Sequence, residues 1–167
     1  NFKDKKGGVA TIIRTTFLKW ERQNEDLFFK GRLLHIKIGD LHIINIYVPA
    51  NKYGKNEFLK QLDKYLNKIS MERVIIGGDF NWVCAPTDRV GGMNDNDKVI
   101  TEISQKILEK QKLIDIYRML NLPRIGYTHH YGNNMGSRLD RFYGNDFSNK
   151  TYTKANILNI NISDHKP

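Results

Sequence analysis

The stretch from Arg73 to Asn81, which reads Arg-Val-Ile-Ile-Gly-Gly-Asp-Phe-Asn, decides the fold. Its β-branched run is typical of a strand buried on both faces, and the two glycines end that strand. Alternate residues of an extended chain share a face, so Asp79 and Asn81 would project together from the strand end, where open α/β sheets carry their chemistry. This carboxylate and amide could bind a metal-bound water or a phosphate group. An ordinary Asx turn explains the same residues equally well.

The composition is that of one globular domain. The chain has 167 residues, of which 40% are hydrophobic and 27% charged, enough to bury a core and too apolar for a disordered chain. We therefore predict a single domain over residues 1–167. No apolar run approaches the roughly 18 residues of a membrane span, so we expect no membrane partner. The single cysteine, Cys84, excludes an intramolecular disulfide and favours an intracellular protein.

The net charge of +9 is unevenly distributed along the chain. Residues 1–37 and residues 98–167 each carry +5, whereas residues 38–97, which include Asp79, carry −1. An acidic centre between basic flanks suits a metal site on a protein that meets polyanions. A solvated basic surface explains the same charge.

Hydrophobic periodicity predicts the other elements. Two alternating runs around Gly39-Asp40 indicate an antiparallel hairpin, and apolar residues at helical spacing predict helices. The predicted elements are a strand at 9–13, the hairpin at 33–48, helices at 56–70 and about 99–108, a helical piece near 113–120, a strand at 138–143 and a last strand containing Ile157, Ile160 and Ile162.

Four further blocks carry polar side chains at strand ends or in loops. They are Asn45-Ile-Tyr-Val-Pro49, Pro86-Thr-Asp-Arg-Val-Gly-Gly92, Ser137-Arg-Leu-Asp-Arg-Phe142 and Ser163-Asp-His165. Taken singly, each has an ordinary explanation: a strand aromatic, a surface carboxylate, a turn residue or a histidine satisfied by its neighbours.

Together and in this order, these blocks and Gly-Gly-Asp-Phe-Asn resemble the endonuclease/exonuclease/phosphatase superfamily. The wording is most like that of the apurinic-endonuclease-like domain of LINE-type non-LTR retrotransposons, and the resemblance runs from Gly7 to Pro167. It implies an α/β (α+β) fold, a four-layered sandwich of two mostly antiparallel sheets with helices outside. It also implies phosphodiester cleavage with a divalent metal, Mg²⁺ or Mn²⁺.

The resemblance implies a role for each strand-end residue. Asp79 would orient or deprotonate the attacking water, and Asn81 would hold that water and a phosphate oxygen. His165 would stabilise the charge that develops on the phosphate. Asp164 would fix the tautomer of His165 and keep that ring protonated.

Two further catalytic residues and the metal ligands follow from the same resemblance. Asp140 would lie beside the histidine or the metal, and Tyr47 would contact the scissile phosphate. The carboxylates available to the metal would be Asp79, Asp140 and Asp164, since a phosphodiester needs charge neutralisation as well as an activated water.

The family's opening strands have no counterpart in this sequence. One of them ends in Gln-Glu, whose glutamate is the chief metal ligand, and residues 1–8 supply no such strand. The strand that follows the histidine is missing as well. We therefore expect the sandwich to be incomplete at both termini and the chain alone to nick DNA weakly or not at all, which leaves its status as an enzyme open.

DNA contacts are expected in the hairpin at 127–137, which in retroelement enzymes inserts near the minor groove. The expected contacts are Tyr127, Thr128, His129, His130, Ser137 and Arg138. A polar hairpin tip that only caps the sheet explains the same sequence equally well.

The sequence leaves three alternative functions. The first is a retrotransposon endonuclease that nicks duplex DNA, as a nuclear monomer joined to the reverse transcriptase domain of its polyprotein. The second is a catalytically inactive remnant that still binds nucleic acid. The third is a phosphoesterase acting on a lipid or small phosphate, which is less consistent with the Thr-Asp-Arg-x-Gly-Gly and Ser-Arg-Leu-Asp-Arg blocks.

Overall fold

The computed structural model describes residues 8–14, 19–23, 29–69, 73–131, 135–145, 151–158 and 163–166. Within these residues the chain forms a mixed α/β fold. Its elements, in chain order, are β1 (Trp20–Arg22), β2 (Leu33–Ile38), β3 (Leu41–Tyr47), α1 (Lys52–Leu66), β4 (Arg73–Asp79), a 3₁₀ turn (Pro86–Asp88), α2 (Asp95–Lys110), β5 (Ile114–Asp115), α3 (Ile116–Asn121), β6 (His129–Tyr131), β7 (Met135–Ser137) and β8 (Asp140–Gly144).

Six of the strands form one sheet in the order β1-β2-β3-β4-β8-β5. The pair β3–β4 is parallel and the other pairs are antiparallel. Strands β6 and β7 form a separate two-stranded sheet. The predicted hairpin around Gly39-Asp40 is confirmed as β2–β3, and Arg73 to Asp79 is confirmed as a central strand.

One face of the large sheet packs against α1 and α2. Leu59 and Leu62 of α1 and Ile100 of α2 share a buried core with Ile44 and Ile76 of the sheet. The apolar residues of each helix recur at helical spacing, so each helix presents an apolar stripe to the strands. Burial of this stripe, rather than helix propensity, supplies most of the stability of such helices.

The N-terminus of α1 explains why this helix begins before the predicted residue 56. The Asn51 side chain accepts a hydrogen bond from the Gly54 backbone at 2.7 Å, which satisfies a backbone donor of the first turn. The polar residues of 51–56 therefore form the first turn of the helix instead of a loop. The second predicted helix likewise extends to Asp95, where Asn94 and Asp97 form a capping box.

Several other predicted boundaries differ from the structure. Residues 9–13 belong to none of the described strands, and the Ala10 carbonyl accepts a side-chain hydrogen bond from Asn45. The piece near 113–120 divides into β5 and α3, and β8 begins at Asp140. Ile157 lies in a segment without helix or strand, whereas Ile160 and Ile162 lie outside the described residues.

The prediction that Gly77 and Gly78 end the central strand is wrong, because β4 continues through both to Asp79; Gly78 is required by the close packing of β3 and β4. Its φ is +132°, and a Cβ atom there would lie 2.0 Å from the carbonyl oxygen of Ile46. Only glycine permits both this backbone conformation and this approach of β3 to β4. Among the described helices, none is both long and apolar enough to cross a membrane.

Candidate active site

Three neighbouring strands bring predicted site residues side by side. In the parallel pair β3–β4 Tyr47 lies opposite Asp79, and in the antiparallel pair β4–β8 Asp79 lies opposite Asp140. Residues opposite each other in a sheet project from the same face, about 4.5–5.5 Å apart. The end of the central strand therefore presents an aromatic hydroxyl and two carboxylates together.

Asn81 fixes the carboxylate of Asp79. Its backbone N–H donates to Oδ1 and its side-chain Nδ2 donates to Oδ2 of Asp79, each at 2.8 Å. The same Nδ2 donates to the Val48 carbonyl at 2.8 Å, so both hydrogens of this amide are engaged. Asn81 adopts φ +55°, a left-handed conformation that asparagine tolerates better than most residues. Asp79 and Asn81 are thus brought together by an Asx turn after the strand end, and not by alternation along an extended strand.

His165 contacts Asp140, not the neighbouring Asp164. Its Nδ1 lies 2.8 Å from Oδ2 of Asp140, which corrects the expectation that Asp164 holds this ring. Burial alone would lower the pKa of His165, but the hydrogen bond and negative charge of Asp140, with Asp79 and Asp164 further away, raise it above its usual value. A protonated imidazole is thereby favoured in the site.

Asp164 interacts with a different histidine. Its carboxylate is 69% exposed and lies 3.4 Å from Nε2 of His129, whose ring centroid is 4.6 Å from that of His165. The pKa of Asp164 is lowered, first by a hydrogen bond from its own backbone and then by the two histidines. Asp164 is therefore connected to the site through His129, whose ring lies against that of His165.

Asp79, Asp140 and His165 form the described cluster with metal-binding geometry. One ligand atom from each lies within 4.8 Å of the others. Burial first, and then the negative charge of Asp140, raise the pKa of Asp79, although its hydrogen bond from the Asn81 backbone opposes that shift. A divalent cation would relieve this repulsion, and the two carboxylates are suitable donors for it, whereas a protonated His165 has no lone pair to offer. Among the described residues, Asp164 is not part of this cluster.

Thr128 positions the strand that carries Asp140. Its hydroxyl accepts hydrogen bonds from the backbone N–H groups of Leu139 and Asp140, each at 3.0 Å, and its side chain is buried. The adjacent His129 pairs with His165 through a single antiparallel bridge. Thr128, predicted to touch DNA, thus holds two site-bearing segments together from the interior.

Arg138 and Ser137, also predicted to touch DNA, are both buried. The Arg138 guanidinium donates to Asp88 at 2.8 Å and to Asp115 at 2.6 Å, and the Ser137 hydroxyl accepts from Arg89 at 3.2 Å. As placed, neither offers its polar atoms to a phosphate. Sequence alone does not separate an arginine on a DNA surface from one in a buried ion pair.

The other expected DNA contacts lie nearer the surface. Tyr127 and His129 are half-buried, and His130 is exposed at the start of β6. Tyr47 is half-buried beneath the guanidinium of Arg32, whose Cζ lies 4.7 Å from the ring centroid. Of the hairpin residues named from the sequence, Tyr127, His129 and His130 are the ones that a bound DNA strand could reach.

Asp88, which was assigned no role from the sequence, is the centre of a buried ion-pair network. Arg138 and Arg118 both donate to its carboxylate, and the Cys84 backbone donates to it at 3.2 Å. Burial alone would raise the pKa of Asp88, but these arginines outweigh burial and lower it. The available signal was the Thr87-Asp88-Arg89 block, whose adjacent Arg89 also pairs with buried Asp97.

Known proteins are similar to this chain in sequence and in fold. Residues 1–165 match the model of the Endonuclease/Exonuclease/phosphatase family. The chain is 27% identical over 167 residues to the Transposon TX1 uncharacterized 149 kDa protein of Xenopus laevis, and the match covers 95% of the chain and 12% of that protein.

The structure is similar to an AP endonuclease from Archaeoglobus fulgidus, with a TM-score of 0.60 and 23% identity, covering 70% of this chain and 53% of the other. For the 3'-5' exonuclease NExo from Neisseria meningitidis the TM-score is 0.52 and the identity 18%, covering 68% and 52%. The chain thus spans about half of each solved structure and a small part of the transposon protein.

Because these sequence identities are low, the similarity to the solved structures is evidence for the fold and not for a shared function. It confirms the predicted α/β fold class. The match over residues 1–165 and the transposon relative confirm the resemblance drawn from the sequence. The chain belongs to the endonuclease/exonuclease/phosphatase family.

Proposed function

We propose that this chain is the endonuclease part of a retrotransposon protein and nicks duplex DNA with the help of a divalent metal. The observation that carries the proposal is the joining of Asp79, Asp140 and His165 at one sheet end, in a chain of this family. The transposon relative supports the retroelement assignment, and the net charge of +9 supports a polyanionic substrate.

Asp79 is the group we assign to the attacking water. Its carboxylate is held by two hydrogen bonds from Asn81, so one orientation is fixed before substrate arrives. A carboxylate fixed in this way can orient the attacking water and accept its proton. Because both side-chain hydrogens of Asn81 are engaged, Asn81 acts as a positioning residue for Asp79 instead of binding a phosphate oxygen directly.

His165 is the group we assign to the phosphate. With Nδ1 bonded to Asp140, the protonated ring has its Nε2–H available to donate to a phosphate oxygen. A preorganised donor at the position where negative charge develops stabilises the transition state. Tyr47, opposite Asp79 across the strand pair, would contact the same phosphate through its hydroxyl.

Asp79 and Asp140 would hold Mg²⁺ or Mn²⁺. A bound divalent cation would neutralise phosphate charge and lower the pKa of a coordinated water. The wider setting is also proposed: a nuclear, monomeric domain joined to a reverse transcriptase domain in the same polyprotein.

One observation favours a second candidate, a nucleic-acid-binding domain without catalysis. The described metal cluster contains only two carboxylates, one of which is already bonded to His165. Such a domain would keep the basic surface, because phosphate contacts need neither the metal nor a general base.

Relaxation of supercoiled plasmid in Mg²⁺ or Mn²⁺ tests the proposal, with the parent being this chain after the family's opening Gln-Glu strand and the strand that follows the histidine have been restored. We expect Asp79→Ala and His165→Ala each to lower the nicking rate by at least about a hundredfold, whereas Asp95→Ala, at an exposed position of α2, should leave it unchanged. A His165→Ala rate within about tenfold of the parent, roughly 1.4 kcal/mol, would refute the role of His165. DNA binding without nicking by the parent would select the second candidate.

A further inference from the structure

The block from Pro86 to Gly92 takes no part in the chemistry proposed above, although it extends the two-stranded sheet formed by β6 and β7. Arg89 lies opposite Ser137 in an antiparallel bridge, and the Val90 backbone N–H donates to the Gly136 carbonyl at 3.0 Å. The backbone of this block therefore forms a further row beside β7.

The other side of β6 pairs with the short segment that contains His165. The His130 backbone N–H donates to the Asp164 carbonyl at 3.1 Å, and the Lys166 backbone N–H donates to the Thr128 carbonyl at 2.5 Å. The backbone that carries the candidate catalytic histidine is thus bonded to β6.

Four rows of backbone lie side by side in the order 88–90, β7, β6 and 164–166, and we call them the support ribbon. A two-stranded ribbon alone is marginally stable in water, so its position depends on what holds it. His165 lies in the last row, whereas Asp140 lies in β8 of the large sheet, with 2.8 Å between Nδ1 and Oδ2. A hydrogen bond of this length is lost when the distance grows by about 1 Å. The position of the support ribbon therefore decides whether His165 reaches Asp140.

Two contacts hold the support ribbon on the side of β8 and α3. The Thr128 hydroxyl accepts from the backbone N–H groups of Leu139 and Asp140, which joins β6 to β8. In the first row, the Asp88 carboxylate accepts from Arg118 of α3. Because two points of attachment still permit rotation about the line between them, a third point is needed to fix the ribbon.

Arg89 supplies the third point by attaching the first row of the support ribbon to α2. Its Nε donates to the Ser137 hydroxyl at 3.2 Å, and its Nη1 donates to the carboxylate of Asp97, which is 5% exposed. Asp97 lies in the first turn of α2, a helix that Thr101 fixes to the core by donating to the Val83 carbonyl at 2.8 Å. The ion pair therefore joins the row farthest from His165 to a rigid element.

We propose that Arg89 is a positioning residue for His165. Its ion pair with Asp97 fixes the support ribbon against α2 and so keeps His165 within hydrogen-bonding distance of Asp140. Arg89 acts through β7 and β6 without contacting His165 itself. This inference rests on the proposed function for the task of His165 in the reaction, and separate measurements test the two.

Amide hydrogen exchange, followed by NMR in this chain, tests the positioning without any cleavage step. We expect Arg89→Gln, and Asp97→Asn, which keeps an oxygen to cap α2, each to speed exchange of the His130 and Lys166 amides at least about tenfold. Exchange in the β2–β3 hairpin should stay within about twofold of the parent, because that hairpin belongs to the large sheet. The matched control, Asp95→Asn, removes a 97% exposed carboxylate from the same helical turn and should change neither.

A double-mutant cycle in the plasmid-nicking assay tests whether Arg89 acts through His165. Arg89→Gln should lower kcat at least about tenfold and leave KM within about twofold, because a misplaced His165 weakens contacts made in the transition state. In a His165→Ala background the same substitution should lower kcat less than about twofold further, since the group that Arg89 positions is already absent.

The outcomes separate positioning from general stabilisation. Faster exchange at all amides, including those of the β2–β3 hairpin, would overturn the proposal because it would show a loss of global stability. Unchanged exchange at His130 and Lys166 would overturn it as well, and so would a full additional loss of kcat in the His165→Ala background. Selective exchange in a parent that does not nick would support the positioning and refute the proposed function. Nicking without selective exchange would do the reverse.

Discussion

Replacing Asp88 with alanine should strongly destabilise the protein, although Asp88 does not belong to the candidate active site. Its carboxylate has no exposed surface and is shared by Arg138, which is 2% exposed, and Arg118, which is 18% exposed. Removing one partner of a buried ion pair costs about 3–5 kcal/mol because a buried charge is left uncompensated. Arg138 would keep Asp115 at 2.6 Å, so we expect the lower end of that range, about 3 kcal/mol.

Thermal unfolding followed by circular dichroism measures this loss. For a domain of this size 1 kcal/mol corresponds to about 2–4 °C, so Asp88→Ala should lower Tm by roughly 6–12 °C. The matched control is Asp95→Ala, which removes a 97% exposed carboxylate paired with Lys98 and should leave Tm nearly unchanged. A decrease below about 3 °C for Asp88→Ala would refute the reasoning, because the arginines would then have found water or other partners.

Two further predictions concern histidines. His35 is fully buried, with Nδ1 2.7 Å from the Tyr65 hydroxyl and Nε2 2.9 Å from His42, and burial followed by the charge of His42 lowers its pKa from 6.5 to about 4. As the pH drops, the unfolded chain protonates His35 before the folded chain does, so the free energy of unfolding should fall by up to roughly 3 kcal/mol between pH 6.5 and pH 4. Urea midpoints at both pH values measure this fall. An equal fall in His35→Gln would contradict the prediction. Asp140→Asn should lower the raised pKa of His165, measured by NMR titration of its ring protons. The stability due to charged His165 is complete below pH 6.5 and is lost as the pH rises through the raised pKa, and an unchanged titration would show that Asp140 does not control this ring.

Local patterns predicted the parts of the fold that depend on neighbours in sequence. The β2–β3 hairpin followed from two alternating runs around Gly39-Asp40, and the central strand followed from a β-branched run, although the strand continues through the two glycines that were expected to end it. The early start of α1 was missed because the decisive contact, between Asn51 and the Gly54 backbone, depends on one cap and not on apolar periodicity.

The site was predictable as a set of residues and not as a set of contacts. Tyr47, Asp79, Asp140 and His165 were all named from blocks at strand ends. The resemblance placed Asp140 beside the histidine or the metal and gave the control of the His165 tautomer to the adjacent Asp164. In the structure the partner, Asp140, is 25 residues away. The sheet register decides between the alternatives, because the β4–β8 pairing places Asp140 opposite Asp79, where its carboxylate meets His165.

The block from Arg138 to Phe142 shows how that register is specified. Arg138 reaches inward to Asp88, and Arg141 is buried with its guanidinium over Phe80 and Trp82, donating to the carbonyls of Trp82 and Arg138.

A shift of one residue along β8 would turn every side chain to the other face of the sheet. It would place either Arg141 or Leu139 opposite Asp79, depending on the direction of the shift, and would carry the Asp140 carboxylate into the interior. Each misplaced charge would cost several kcal/mol, so the two buried arginines keep Asp140 opposite Asp79. Arg138, which the sequence analysis expected to contact DNA, thus helps to stabilise the one register in which the candidate site exists.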